Sequence, residues 1–188
     1  MSLYTRKIVD NSYYHIYNRG NNYENIFYNK SDYVYFLKKY DEYMSDHLQT
    51  FTFCLLPNHF HFLIKTLDNS EIISEQFRIF FKTYAEKINK QTGRSGSLFL
   101  KPFKRKIITE DNYLKRMIFY IHYNPVHHKI SKTFEDYEWS SYKRILDTRK
   151  SGLEKEEVLK LFNGREGYIE FHNDFSNLSK IKEFVIEK

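Results

Sequence analysis

Three groups of residues in this chain have the types and the spacing to do chemistry. The first is His59-Phe60-His61. Successive side chains of a strand point to opposite faces, so His59 and His61 emerge side by side and Phe60 points away. Two parallel imidazoles can hold one divalent metal. The second group is Tyr120 and Asn124, at the end of an apolar-periodic segment. Residues four apart on a helix share a flank. The amide oxygen of Asn124 can therefore complete a metal site, and Tyr120 brings a phenolic oxygen to it. A metal beside a tyrosine suffices to cut a DNA strand and hold its end covalently. The third group is Lys101, Lys104, Arg105 and Lys106, candidates for phosphate contacts. The bland alternatives are a solvated histidine pair and a solvated strand end.

On an ideal helix each residue advances by about 100°. Leu114, Met117, Ile118 and Ile121 then form the core stripe. Tyr113, Tyr120 and Asn124 fall on one flank of it, and Tyr123 falls on the far side. Tyr84 is the rival nucleophile, but it lies in the stripe of Phe80, Phe81 and Ile88, where a core residue belongs. His122 reads either as a group behind the site or as surface. No residue stands out as the base that would take the Tyr120 proton.

These groups need elements to position them. Tyr13 to Asn18 reads as a strand. Ser31 to His47 reads as a helix with Ser31 as its N-cap. Thr50 to Leu56 and His59 to Thr66 read as a hairpin turned at Pro57-Asn58. Ser74 to Lys90 is expected to be a helix capped by Ser74. Leu98 to Ile108 contains a strand interrupted by Pro102. Thr109 to about Asn124 is expected to be the tyrosine helix, stopped by Pro125. The expected class is α+β: a ferredoxin-like antiparallel sheet with helices on one face, a further helix carrying Tyr120, and a small helical tail. In the tail, Ser151 to Phe162 reads as a short helix and Gly164 to Glu170 as another turn. Residues 1–148 are read as the catalytic domain and 149–188 as an extension packed on it.

Of 188 residues, 41% are apolar and 19% aromatic, enough for one core with rings to spare for stacking on bases. The net charge is +6. Residues 149–188 carry eight Lys/Arg and eight Asp/Glu, so the first 148 hold 22 basic against 16 acidic residues. The whole positive excess sits on the part with the histidine pair, which suits a polyanionic partner. Cys54 is the only cysteine, which excludes an intrachain disulfide and a cysteine-cluster metal site. With no signal peptide and no long apolar stretch, a cytoplasmic protein without a membrane partner is expected.

Taken together, these residues resemble the single-tyrosine HUH transposases, and within them the REP-associated tyrosine transposases. The HUH motif, His-hydrophobic-His, is His59-Phe60-His61 within Leu56-Pro-Asn-His-Phe-His-Phe-Leu-Ile64. The opening motif resembles Tyr14-His-Ile-Tyr-Asn-Arg-Gly20, followed by Ile26-Phe27. The middle resembles Gly96-Ser-Leu-Phe-Leu-Lys-Pro-Phe-Lys-Arg-Lys106. The tyrosine helix resembles Tyr120-Ile-His-Tyr-Asn-Pro-Val126, with Trp139-Ser-Ser-Tyr142 after it. The resemblance runs from about residue 13 to 145. It departs at Leu100-Lys101-Pro102, where the family often has Gln-Gly-Arg or Gln-Arg-Arg.

By this resemblance Tyr120 is the nucleophile, and His59, His61 and Asn124 surround the metal. The activity implied is cleavage and rejoining of single-stranded, hairpin-containing DNA through a 5′-phosphotyrosine. A His/His/amide site acting on phosphate oxygens suits Mg²⁺ or Mn²⁺. A monomer and a homodimer are both compatible with the family. Two alternatives stand beside this reading. One is a non-catalytic nucleic-acid-binding module on a ferredoxin-like sheet. The other is a relaxase or replication initiator, which shares the His pair and is usually larger.

Overall fold

The computed structural model describes residues 7–174 and 176–180, with Asp111 described by its backbone alone. Residues 1–6, 175 and 181–188, which fall in the two expected domains, lie outside the described residues.

Four strands form one antiparallel sheet: β1 (Tyr13–Arg19), β2 (Leu48–Leu56), β3 (His59–Thr66) and β4 (Lys104–Ile108), in the order β2-β3-β1-β4. With α1 (Lys30–Met44) after β1 and α2 (Ser70–Thr92) after β3, this is the expected ferredoxin-like arrangement. Phe60, Phe62 and Ile64 of β3 share a core with Phe36, Tyr40, Phe77, Phe80 and Tyr84 of α1 and α2. Leu63, with Cys54 and Leu56 of β2, belongs to a second core built with α3 (Asp111–His127) and the tail. Alternation puts these two cores on opposite faces of the sheet. Covered on both sides, β3 is buried at seven of its eight positions, so its sequence reads as a nearly unbroken apolar run around the histidines.

Local hydrogen bonding moved several element ends from their expected places. α1 is capped by Asn29 rather than Ser31. Asn29 Oδ1 accepts from the Asp32 amide, and the Asp32 carboxylate accepts from the Asn29 amide, a reciprocal capping box. α2 begins four residues before Ser74, because Asn69 Oδ1 accepts from the amides of Glu71 and Ile72. It ends at Gly93, whose φ of 67° suits the left-handed C-terminal position. The basic segment yields only the short β4. Leu98 to Phe103 instead runs as a loop beside the end of β1, with the Leu100 amide donating to the Arg19 carbonyl.

α3 does not stop at Pro125 but continues to His127. Proline removes one helical donor. The next bonds are nevertheless made: His128 N–H donates to Asn124 O, and the amides of Ile130 and Ser131 donate to Pro125 O. Ile121, Asn124 and Pro125 are all buried, and that packing outweighs the local preference.

β2 is an edge strand, and the chain covers it. The Leu55 amide donates to Trp139 O, Ser141 N–H to Phe53 O and Glu154 N–H to Thr50 O. Beyond this edge come α4 (Tyr142–Leu146), α5 (Lys155–Leu161), α6 (Arg165–Asn173) and α7 (Asn177–Lys180). Val158, Phe162 and Tyr168 are buried in the α3 core. Where a turn was expected at Gly164 to Glu170, α6 is a helix of nine residues. Among the described residues, no helix is long and apolar enough to cross a membrane.

Candidate active site

The site lies between β3, β1 and α3. β3 pairs antiparallel with β1 so that Tyr17 faces His61 and Arg19 faces His59. Directly opposed residues project on the same side of a sheet. His15, Tyr17, His59 and His61 therefore share the α3 side. The bland alternative of a solvated histidine pair does not hold: His59 is 7% and His61 1% exposed, because α3 lies over β2 and β3.

Hydrogen bonds orient both imidazoles. His59 Nδ1 lies 2.6 Å from Asn58 Oδ1, and Asn58 Nδ2 donates to Tyr23 O. An amide oxygen only accepts, so His59 carries its proton on Nδ1 and the Nε2 lone pair is the one able to bind a metal. His61 Nδ1 lies 2.9 Å from His15 Nε2. The His59 and His61 rings are 5.2 Å apart and nearly perpendicular, at 87°.

α3, which carries Tyr120 and Asn124, packs on this side of the sheet. The Tyr120 ring meets His61 edge-on at 5.7 Å and His15 at 6.0 Å. Asn124 Nδ2 donates to the Tyr120 carbonyl at 2.7 Å. That bond engages Nδ2, and Asn124 Oδ1 is buried without a hydrogen-bond partner among the described residues. A buried, unsatisfied carbonyl oxygen costs free energy unless something is there to be bound. Among the described residues no cluster of three His, Cys, Asp or Glu side chains could hold a metal. A metal here would therefore rest on the two histidines and this neutral oxygen, a set that fits a cation completing its shell with water and phosphate oxygens.

The other tyrosines are sorted by the fold. Tyr84 lies in the α1/α2 core on the far side of the sheet, fully buried, with its hydroxyl donating to Ile26 O at 2.7 Å. Burial pushes its pKa far up, the opposite of what a nucleophile needs. Tyr113 packs under Lys106, whose Nζ is 4.9 Å from the ring centre. Tyr123 stacks on Phe119, and the two belong to the second core.

β4 divides the basic group. Lys104 faces Tyr17 and Lys106 faces His15, so both lie on the side of the histidines. Arg105 faces Ile16, which sits in the α1/α2 core, and its guanidinium lies 5.2 Å from the Phe103 ring. Lys101 lines a cleft of about 850 Å³ between α2 and the 96–103 loop, together with Arg78 and Lys82.

His122 is not at the surface. It is fully buried in a polar network that ties α3 to β2 and to the tail. His122 Nε2 lies 2.5 Å from Thr52 Oγ1 and 2.8 Å from Ser141 Oγ, and its Nδ1 lies 2.9 Å from His172 Nε2. Burial depresses the pKa of both rings, that of His172 to about 4. The Trp139-Ser-Ser-Tyr142 motif thus has a structural use: its second serine anchors the helix that carries Tyr120.

No family model matches the chain. A Haemophilus influenzae protein named for the REP-associated tyrosine transposases is 25% identical over 105 residues, which span 51% of this chain and 60% of that protein. A solved structure described as a REP-associated tyrosine transposase bound to a REP hairpin superposes with a TM-score of 0.65. The superposition covers 78% of this chain and 86% of that one, at 19% identity. In sequence and in fold the chain is similar to the REP-associated tyrosine transposases. The structural likeness carries the architecture of these transposases; the site rests on the side chains above. Two further histidines adjoin the pair: His15 against His61, and His128, whose ring is 4.6 Å from that of His59. His15 had a sequence signal, because it alternates with Tyr13 and Tyr17 on one face of β1. His128 had none, because it lies beyond the end of its helix.

Proposed function

We propose that this protein is a metal-dependent transposase or endonuclease that cuts and rejoins single-stranded, hairpin-containing DNA through a 5′-phosphotyrosine. The observation that supports the reading is that the Tyr120 ring meets His61 edge-on, with His59 and the helix bearing the unpartnered Asn124 Oδ1 on the same side of the sheet. The similarity to REP-associated tyrosine transposases supports the same chemistry. His59, His61 and Asn124 would hold Mg²⁺ or Mn²⁺, which when bound supplies Lewis-acid polarisation of the scissile phosphate.

Tyr120 does the bond-making. Its phenolic oxygen loses its proton and attacks phosphorus. The P–O3′ bond breaks, and the departing oxygen takes up a proton as a 3′-OH. One phosphoester replaces another, so a 3′-OH can later attack the tyrosine ester and restore the strand. Lys104 and Lys106, on the same side of the sheet, hold the phosphates on either side. A binder that stacks bases on an open sheet is less well supported, because α3 covers β2 and β3.

The test uses labelled single strands carrying the hairpins that flank the protein's own gene, incubated with Mg²⁺ and resolved under denaturing conditions. A protein-linked DNA band is expected from the unmodified chain, Tyr84→Phe, Tyr113→Phe and Tyr123→Phe, and no band from Tyr120→Phe. A band that persists in Tyr120→Phe and is missing from Tyr84→Phe would overturn the assignment.

A further inference from the structure

We propose that His15 is a positioning residue that holds His61 in the one tautomer able to bind a divalent cation. The inference rests on the metal-site reading above and deepens it.

The geometry is specific. His15 Nε2 and His61 Nδ1 are 2.9 Å apart, the ring centres are 5.1 Å apart and the planes differ by 15°. So short a contact between such distant centres puts the N···N line nearly along the line of centres, in the plane of both rings. That is where an N–H bond and a nitrogen lone pair lie, so this is an in-plane hydrogen bond and not a face-to-face stack. One proton is shared across it, and its side decides what His61 can do. With the proton on His61 Nδ1, the Nε2 lone pair of His61 can bind a cation. With the proton on His15 Nε2, neutral His61 carries its own proton on Nε2 and cannot bind there.

Burial and two ring contacts hold the His15 ring in place. It is 4% exposed, stacks on Tyr17 at 4.8 Å and 21°, and meets the Tyr120 ring edge-on. The Asn58 oxygen does the same for His59, so each histidine of the pair has its own tautomer-setting neighbour. Such neighbours of metal-binding histidines fix ring orientation and proton position. A neutral imidazole does so without adding charge beside the cation.

The experiment reads the tautomer and the metal affinity, not activity. In the metal-free unmodified chain, nitrogen NMR of labelled histidine is expected to show His61 protonated on Nδ1. Calorimetric titration with Mn²⁺ then compares two variants. His15→Phe keeps a flat ring but offers no acceptor, and its Kd for Mn²⁺ should rise about 10- to 100-fold. His15→Gln restores an acceptor oxygen, and its affinity should return to within a few-fold of the unmodified chain. Thermal melting shows whether each variant is folded, and the NMR measurement needs no variant. A His61 protonated on Nε2 in the unmodified chain, or equal Mn²⁺ affinity in His15→Phe, overturns the role of His15 and leaves the metal site standing. An unmodified chain that binds no Mn²⁺ overturns both.

Discussion

Lowering the pH should loosen the tail through His172, by an amount the buried network sets. His172 Nδ1 is 2.8 Å from the Tyr168 carbonyl, which only accepts, so the proton is on Nδ1. Its Nε2 then accepts from His122 Nδ1–H, and His122 Nε2 accepts from a hydroxyl of Thr52 or Ser141. A second proton on His172 would set two N–H groups against each other. Burial away from water lowers its pKa from the ordinary 6.5 to about 4. The neutral form is thus favoured in the folded state. The stability it contributes is fully present above pH 6.5 and is lost as the pH falls from 6.5 toward 4. The shift corresponds to about 3 kcal/mol when fully lost, and about 2 kcal/mol by pH 5. His122 pushes in the same direction. The assay is urea unfolding at pH 8 and pH 5, followed by fluorescence of Trp139, which stacks on Tyr33 beside the covered sheet edge. His172→Gln does not titrate. It should be less stable at pH 8 but should lose about 2 kcal/mol less than the unmodified chain on going to pH 5. Surface carboxylates contribute equally to both and cancel. Equal losses in the two proteins, or greater stability at pH 5 in the unmodified chain, would refute the reasoning.

Two further outcomes follow from the geometry. Replacing Lys104 and Lys106 by Ala should weaken DNA binding and reduce the slope of log affinity against log salt by about 2, whereas Arg105→Ala should change it less, since Arg105 faces the other side of the sheet; filter binding across a salt series measures this. Gly20→Ala should lower the melting temperature by about 4–8 °C, because a Cβ there would stand 2.1 Å from the Glu24 carbonyl oxygen and force the backbone apart, a strain of about 2 kcal/mol.

Much of this protein was legible in its sequence, because the relevant rules are local. Alternation along β3 put His59 and His61 on one side and Phe60 on the other whatever the rest of the chain did. The spacing of Tyr120 and Asn124 put them on one flank of any helix containing both. Apolar stripes with turn residues between them were enough for the order β-α-β-β-α-β-α, hence for the ferredoxin-like sheet. Element ends were less legible. Ser31 and Ser74 have the right side chains for caps, but Asn29 and Asn69 lie earlier in the chain and cap the amides of Asp32, Glu71 and Ile72, so the helices begin there.

Tertiary structure decided what depends on partners distant in the chain. That α3 buries the histidine pair follows from packing against β2 and β3, not from any property of the pair itself. Tyr84 and Tyr120 are both buried tyrosines on helices; only the side of the sheet on which each helix lies separates the structural one from the candidate nucleophile. Alternation separates Arg105 from Lys104 and Lys106, but the register with β1 decides which of them faces the site. The contact of His15 with His61 spans 46 residues, and that of His122 with His172 spans 50. A hydrogen bond requires two atoms within about 3 Å in a set direction. Sequence specifies which groups could meet in that way, and only the packed sheet and helices bring them to that distance.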